Sequence, residues 1–125
     1  MKDSGRPVSP HVTIYAFPIA ALSSITNRVT GIAMAVGCFG LGSIEIVGGS
    51  GTALQFVQLI GSSSTIVACG AKFSVVFPVA YHYLCALRHI QWDVQPDLLT
   101  NAKVASSSYY LYIAATVAAS FAALT

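Results

Sequence analysis

The chain has 125 residues, of which 55% are hydrophobic and 8% are charged, and its net charge is +2. An ordinary soluble domain carries about 25% charged residues, so these few charges cannot cover a surface that faces water. The small net charge also argues against nucleic acid as a partner. The composition therefore predicts a membrane protein whose apolar surface faces lipid.

The charged residues divide the chain into an N-terminal arm and three apolar segments. Residues 1–22 include "RPVSPHVTIY" (6–15), whose two prolines predict an extended arm. A spanning helix needs about 20 mostly apolar residues, and three segments qualify, at about 23–47, 64–91 and 104–124. Segment 48–63 holds no charge and is predicted to be a loop. The expected fold class is an all-α membrane protein, with three transmembrane helices within residues 23–125.

The distribution of basic residues predicts the orientation of these helices. Three spans place the N-terminus and the 92–103 connection on the same side of the membrane. The basic residues that collect near that side are Lys2, Arg6, Arg28, Arg88 and Lys103. Because basic residues favour the cytoplasmic or matrix side, we expect the N-terminus there and the C-terminus on the opposite side.

Ionisable side chains lie inside the second helix, in the segment "YHYLCALRHIQWD" (81–93). At 100° per residue, His89 and Asp93 fall within about 20° of His82 and form one stripe, whereas Arg88 lies about 120° away and should face a different neighbour. An ionisable group within a span is costly and marks a ligand, a proton path or a paired contact. His82 can bind haem iron through its imidazole, or it can hydrogen-bond a neighbouring helix as polar glue. The stripe alone leaves both interpretations open.

Two arginines, a serine and an aspartate are expected near one membrane face. Arg28 and Arg88 together suit carboxylates such as haem propionates, or each reaches the membrane surface separately. Ser24 lies four residues before Arg28 on the same helix face, and with Asp93 the pair can hydrogen-bond a quinone carbonyl and deliver protons. The alternative is a capping serine beside an ion pair between Arg28 and Asp93.

Three motifs, in order, resemble one family: the cytochrome b large membrane-anchor subunit of succinate dehydrogenase, respiratory complex II. The motifs are "RPVSPHVTIY" (6–15), "SSITNRVTG" (23–31) and "YHYLCALRHIQWD" (81–93). The resemblance covers nearly the whole chain. It implies a three-helix fold in the lipid bilayer that pairs with a small membrane-anchor subunit and supports the soluble flavoprotein and iron–sulfur subunits.

The resemblance implies a haem b shared with the small anchor subunit. His82 matches the family's axial haem ligand, and Arg88 and His89 match a pair close to the haem edge. Many relatives carry a histidine directly before the arginine of the first helix, at the corner where propionates bind; here Asn27 stands before Arg28. Asparagine donates a hydrogen bond but carries no charge. We therefore expect quinone binding to be better supported than haem retention.

The resemblance also implies a ubiquinone site. Ser24 and Arg28 match the serine and arginine of that site, and Asp93 matches an aspartate near it. The implied function is a membrane anchor that helps transfer electrons from succinate to ubiquinone. Because the chain has no flavin fingerprint and no iron–sulfur cysteine cluster, we expect it not to be catalytic by itself.

Two other functions agree with the same residues. One is the anchor of a quinol–fumarate reductase, which runs the reaction in the opposite direction. The other is a non-redox three-helix assembly subunit whose polar stripe only joins helices. For either redox function, the arm resembles eukaryotic members, so the expected location is the mitochondrial inner membrane, with a bacterial inner membrane as the alternative.

Overall fold

The computed structural model of the protein describes Gly5 and residues 7–125. Residues 1–4 and 6, which belong to the predicted arm and include two of the basic residues used to predict orientation, lie outside the described residues. The described part is helical and contains no strand. Its four α-helices are α1 (Ile19–Gly48), α2 (Thr52–Gly61), α3 (Thr65–Val94) and α4 (Asn101–Leu124).

Three of these helices, α1, α3 and α4, are long and apolar enough to cross a membrane. They contain 30, 30 and 24 residues, and each includes an 18-residue stretch with a mean hydropathy of 1.7, 1.3 and 1.3, respectively. At 1.5 Å per residue even α4 extends about 36 Å, which exceeds a hydrocarbon core of about 30 Å. The predicted fold class, all-α with three transmembrane helices, is confirmed.

The first spanning helix begins earlier than predicted, at Ile19 within the segment assigned to the arm. Pro18 precedes it in an extended conformation, with φ −67° and ψ 154°. Proline fits a helix start because its missing N–H would have no intrahelical partner there. The result is that Ser24 and Arg28 lie in the second and third turns of α1, not at its end.

The segment 48–63, predicted to be a loop, contains the ten-residue helix α2, so that prediction was wrong. The carboxylate of Glu45 accepts hydrogen bonds from the backbone N–H groups of Gly51 (2.6 Å) and Ala53 (2.8 Å). The turn between α1 and α2 uses Gly49 and Gly51 at φ +86° and +89°, where a side chain would be strained. A carboxylate from the preceding helix therefore caps the N-terminus of α2, which local composition does not reveal.

The buried core lies between α3 and α4. It is formed by Tyr81 and Cys85 of α3 with Leu111 and Ala115 of α4. The buried stripe of α4 continues through Ala119, and small side chains of this kind let two helices approach closely. Most large apolar side chains elsewhere remain exposed, as expected for helices whose surroundings include lipid.

One end of the helical bundle gathers the polar residues. Ser23, near the start of α1, and Ser108, near the start of α4, both accept hydrogen bonds from Arg88, near the end of α3. The start of α1, the end of α3 and the start of α4 therefore lie at the same end of the bundle.

Candidate functional site

Arg88 is buried where α1, α3 and α4 meet, with 8% of its side chain exposed. Its Nη1 donates to Oγ of Ser108 (3.0 Å) and its Nη2 donates to Oγ of Ser23 (3.1 Å). The guanidinium carbon lies 4.6 Å from the ring centroid of Trp92, a cation–π contact. These described partners include no carboxylate, and Nε has no hydrogen-bond partner in the described part of the chain. Arg88 is therefore an interhelical cation, and it faces different neighbours from His82, as its angle on the helix predicts.

Ser23 joins Arg88 to Tyr81. The Tyr81 hydroxyl donates to Oγ of Ser23 at 2.9 Å, and both residues are fully buried. Oγ of Ser23 thus accepts two hydrogen bonds from α3, one from a neutral donor and one from a charged donor. Because hydrogen bonds from charged donors are roughly twice as strong as neutral ones, this serine is the firmest polar link between α1 and α3 in the described structure.

His82 lies against the next turn of α1. Its Nδ1 is 3.0 Å from the carbonyl oxygen of Asn27 and 3.5 Å from Oγ1 of Thr30. Since a carbonyl only accepts, we assign the proton of the neutral imidazole to Nδ1, which leaves the lone pair on Nε2. Gly31 allows this approach, because a Cβ at that position would lie only 3.0 Å from Cε1 of the ring.

The setting of His82 fits a histidine that would bind a metal such as haem iron. Metal-binding histidines commonly donate the other ring N–H to a carbonyl, which fixes the tautomer and the ring orientation, and His82 has this arrangement. Among the residues that the structure describes, no three His, Cys, Asp or Glu side chains group together to hold a metal ion. Because a structural zinc ion needs several protein ligands, the described residues around His82 suit haem iron, which His82 would hold as one ligand, better than zinc.

Asn27 contacts His82 through its backbone, and its side chain has a separate property. The atom Oδ1 is buried without a described hydrogen-bond partner, although most buried side-chain polar atoms have one. Rotation of the amide by 180° exchanges the oxygen and the NH₂ group, so the same side chain can offer a donor to an anionic group. An orphaned amide on the same residue that contacts His82 fits a haem propionate nearby.

Ser24 and Arg28 lie on the face of α1 beside the one that contacts α3. At 100° per residue they are about 100° and 140° from Ser23 around the helix axis, and both are exposed. The structure keeps them on one helix face, and no hydrogen bond to either side chain occurs among the described residues. Arg28 and Arg88 share no partner there, because Arg88 points into the bundle and Arg28 does not.

Of the stripe predicted on α3, His82 makes the hydrogen bonds to α1 that the described structure shows. His89 and Asp93 are exposed, and the His89 ring meets Trp92 edge-on with centroids 5.0 Å apart. No ion pair between Arg28 and Asp93 is present in the described part of the chain. Asp93 lies in the last turn of α3, close to the end of the bundle where α1 begins.

Residues of this site that were not predicted from the sequence include Ser23, Thr30, Gly31, Tyr81 and Ser108. Ser23 and Thr30 are seven residues apart on α1, a spacing that places them on the same helix face. Two hydroxyl groups at this spacing inside an apolar helix are a detectable signal of a polar contact. The identity of the contacting helix is not part of that signal.

The fold and the site define a multi-helix membrane subunit that holds an arginine and a histidine between its helices. The chain belongs to the succinate dehydrogenase/fumarate reductase transmembrane subunit family, whose model matches residues 2–123. The resemblance predicted from the three motifs is thereby confirmed.

Individual relatives agree with this family. The chain is 36% identical over 111 residues to the mitochondrial succinate dehydrogenase cytochrome b560 subunit of Dictyostelium discoideum, a match that covers 89% of this chain and 57% of that protein. It is 38% identical over 97 residues to the Sus scrofa protein of the same name and 36% identical over 97 residues to that of Homo sapiens. These two matches each cover 76% of this chain and 57% of the relative. The chain thus spans little more than half the length of these curated relatives.

Proposed function

We propose that this chain is a membrane-anchor subunit of a succinate dehydrogenase, contributing one haem b ligand and part of a ubiquinone-reduction site. It would pair with a small membrane-anchor subunit and support the iron–sulfur and flavoprotein subunits. The relatives' names, which include "mitochondrial", support a multi-pass location in the mitochondrial inner membrane, with a bacterial inner membrane as the alternative. The basic residues support an N-terminus on the matrix side.

For haem, the proposed ligand atom is Nε2 of His82. The backbone carbonyl of Asn27 holds the Nδ1 proton, which orients the imidazole and increases its basicity as a ligand. Asn27 and Arg28 lie on α1, which contacts His82, and Arg88 and His89 lie on α3 with His82. These residues would hold the propionates or the edge of the haem. Haem b, when bound, would supply a one-electron store beside the quinone site.

For ubiquinone, the proposed contacts are Ser24 and Arg28, which are exposed on one face of α1. The Ser24 hydroxyl and the Arg28 guanidinium both donate hydrogen bonds, so together they can hold and polarise a quinone carbonyl. Asp93 lies at the same end of the bundle, and a carboxyl group can relay the protons that quinone reduction consumes.

The single observation that carries this proposal is the α1 segment from Ser23 to Gly31. On one side it holds the His82 ring by a 3.0 Å hydrogen bond, which leaves Nε2 available. On the adjoining side it presents two exposed hydrogen-bond donors to the surroundings of this chain. One short segment thus carries the carbonyl that orients the proposed haem ligand and, separately, the donors proposed to bind a quinone carbonyl.

The test is the Arg28→Ala variant in the complete complex. Loss of a hydrogen bond from a charged donor costs about 1.5–3 kcal/mol, so the KM for a short-chain ubiquinone should rise roughly tenfold or more. Lys72→Ala is the matched control, because it also removes a cation from the chain. Lys72 lies about 24 Å along α3 from Arg88 at 1.5 Å per residue, beside a separate apolar cavity of about 660 Å³, and its variant should keep the wild-type KM.

The proposed haem binding is tested by a separate measurement. A dithionite-reduced spectrum of the purified complex should show a b-type band, and His82→Ala should lose it. Absence of the band in the wild type, together with an unchanged KM in Arg28→Ala, would favour the non-redox assembly subunit. A fumarate reductase is the second redox candidate, because the matched family includes that class. The quinone species of the native membrane distinguishes the two directions.

A further inference from the structure

The α1 segment that carries the proposed quinone contacts is attached to α3 at two points. At the first, Oγ of Ser23 receives hydrogen bonds from Arg88 (3.1 Å) and Tyr81 (2.9 Å). At the second, the carbonyl of Asn27 receives one from His82 (3.0 Å). The two points are one helical turn apart, so they restrain both the position and the rotation of this part of α1.

The rotation of α1 decides where Ser24 and Arg28 point. They are about 100° and 140° around the axis from Ser23. Rotation of α1 about its own axis would therefore move both donors away from the quinone carbonyl. Ser23 is fully buried. Arg88 is suited to hold it because a planar guanidinium presents several donors in fixed directions, and this one also contacts α4 through Ser108 at 3.0 Å.

We propose that Arg88 and Ser23 are positioning residues for ubiquinone reduction: Arg88 holds Ser23 and thereby aims Ser24 and Arg28 at the quinone carbonyl. The inference rests on the proposed function, because it requires Ser24 and Arg28 to bind the quinone. Arg88 itself does not contact the quinone in this mechanism. The bond to Ser23 joins a charged donor to a neutral acceptor, which makes it stronger than a bond between two neutral groups.

The experiment compares Ser23→Ala with Ser108→Ala in the complete complex. Each variant removes one hydroxyl that accepts from the same guanidinium, but only Ser23 belongs to α1. Misplacement of binding groups by a fraction of an ångström to 1 Å lowers quinone reduction by up to about 100-fold, so Ser23→Ala should raise the KM for a short-chain ubiquinone roughly fivefold or more. Ser108→Ala should keep the KM within about twofold, because α4 takes no part in the proposed quinone site and the bond to Ser23 remains. Succinate oxidation with a soluble dye should be unchanged in both.

A second variant, Tyr81→Phe, removes the other donor to Ser23. The double variant Ser23→Ala/Tyr81→Phe should have the same KM as Ser23→Ala alone, because Tyr81 acts through Ser23. If Ser23→Ala does not assemble, Arg88→Met carries the test, because it removes the guanidinium donors and keeps an unbranched side chain: an increased KM with unchanged dye-linked oxidation supports the proposal, and a wild-type KM overturns it.

The remaining outcomes separate this inference from the proposed function. A wild-type KM in Ser23→Ala, with an increased KM in Arg28→Ala, overturns the positioning role and leaves the quinone site standing. Equal increases in Ser23→Ala and Ser108→Ala also overturn it, since they indicate a general loss of packing. A wild-type KM in Arg28→Ala overturns both proposals.

Discussion

His82 is held to α1 by two features of very different kinds. The carbonyl of Asn27 accepts the Nδ1 proton, and Gly31 leaves room for the edge of the ring, which would be 3.0 Å from a Cβ at that position. The first feature sets the tautomer and the second sets the distance between the helices. The ligand role proposed for His82 depends on both, because a ring pushed away from α1 loses the hydrogen bond that leaves Nε2 free.

Substitution of the single residue Gly31 by valine (Gly31→Val) should weaken haem binding. The added side chain overlaps the imidazole, and overpacking of this kind costs about 1–3 kcal/mol, which displaces His82 from the Asn27 carbonyl. The reduced-minus-oxidised spectrum of the complex should show a diminished or shifted b-type band. Gly37→Val is the control, because a Cβ at Gly37 meets no atom within 4 Å in the described structure. A wild-type band in Gly31→Val would contradict the close-approach explanation.

Among the helices, α2 shows how a short element depends on its neighbour. Its ten residues are fewer than an isolated helix needs for stability in water. The Glu45 carboxylate, near the end of α1, accepts from the N–H groups of Gly51 and Ala53, where the helix dipole favours a negative charge. The first turn of α2 therefore depends on a residue of α1.

Removal of this cap should loosen α2 without disturbing the spanning helices. Glu45→Ala should lower the local stability of α2, because it removes the carboxylate that accepts from the first N–H groups of the helix. Amide hydrogen exchange in lipid nanodiscs should then accelerate over residues 52–57 and stay unchanged over the second half of α3. Glu45→Gln keeps one acceptor oxygen and should give an intermediate rate. Equal exchange in all three proteins would show that the cap is not stabilising.

The whole molecule has a small core and a large apolar exterior. Buried apolar side chains concentrate between α3 and α4. On α1, by contrast, more than half of the surface of residues such as Ile32, Val36 and Phe39 is exposed. In water such a surface would be unfavourable at roughly 25 cal/mol per Å². Lipid and the proposed partner subunits are the environment in which this chain is stable.

The arrangement of spans predicts which connections share a side of the membrane. Ser63→Cys, between α2 and α3, and Gln95→Cys, after α3, should react with an impermeant maleimide from opposite sides of sealed vesicles. Gln95→Cys should be labelled from the matrix or cytoplasmic side. The wild type measures background, because Cys38, Cys69 and Cys85 all lie within spanning helices. Labelling of both variants from one side would refute three spans.

Three membrane spans follow from the sequence alone because exclusion of charge from lipid is a local requirement. The charge-free stretch from 29 to 44, for example, identifies α1 as a spanning helix independently of the positions of the other helices. His82 was identifiable on the same basis, as an ionisable group inside such a stretch. The limits of α1 and the existence of α2 were not, because Pro18 and Glu45 act through backbone geometry and a capping contact that hydropathy does not record.

The partners of the polar residues were decided only by the tertiary structure. Helical periodicity shows that Arg88 and His82 face different directions, but it does not show which helix lies in each direction. Ser23 and Ser108 are 65 and 20 positions from Arg88, and the spacing of Ser23 from Thr30 indicates a polar contact without identifying Arg88 as the partner. Hydropathy depends on each segment separately, whereas a hydrogen bond between helices depends on the distance and rotation of both. The sequence by itself therefore determined that this chain spans a membrane with ionisable groups inside it, and the packing of the helices decided what those groups hold.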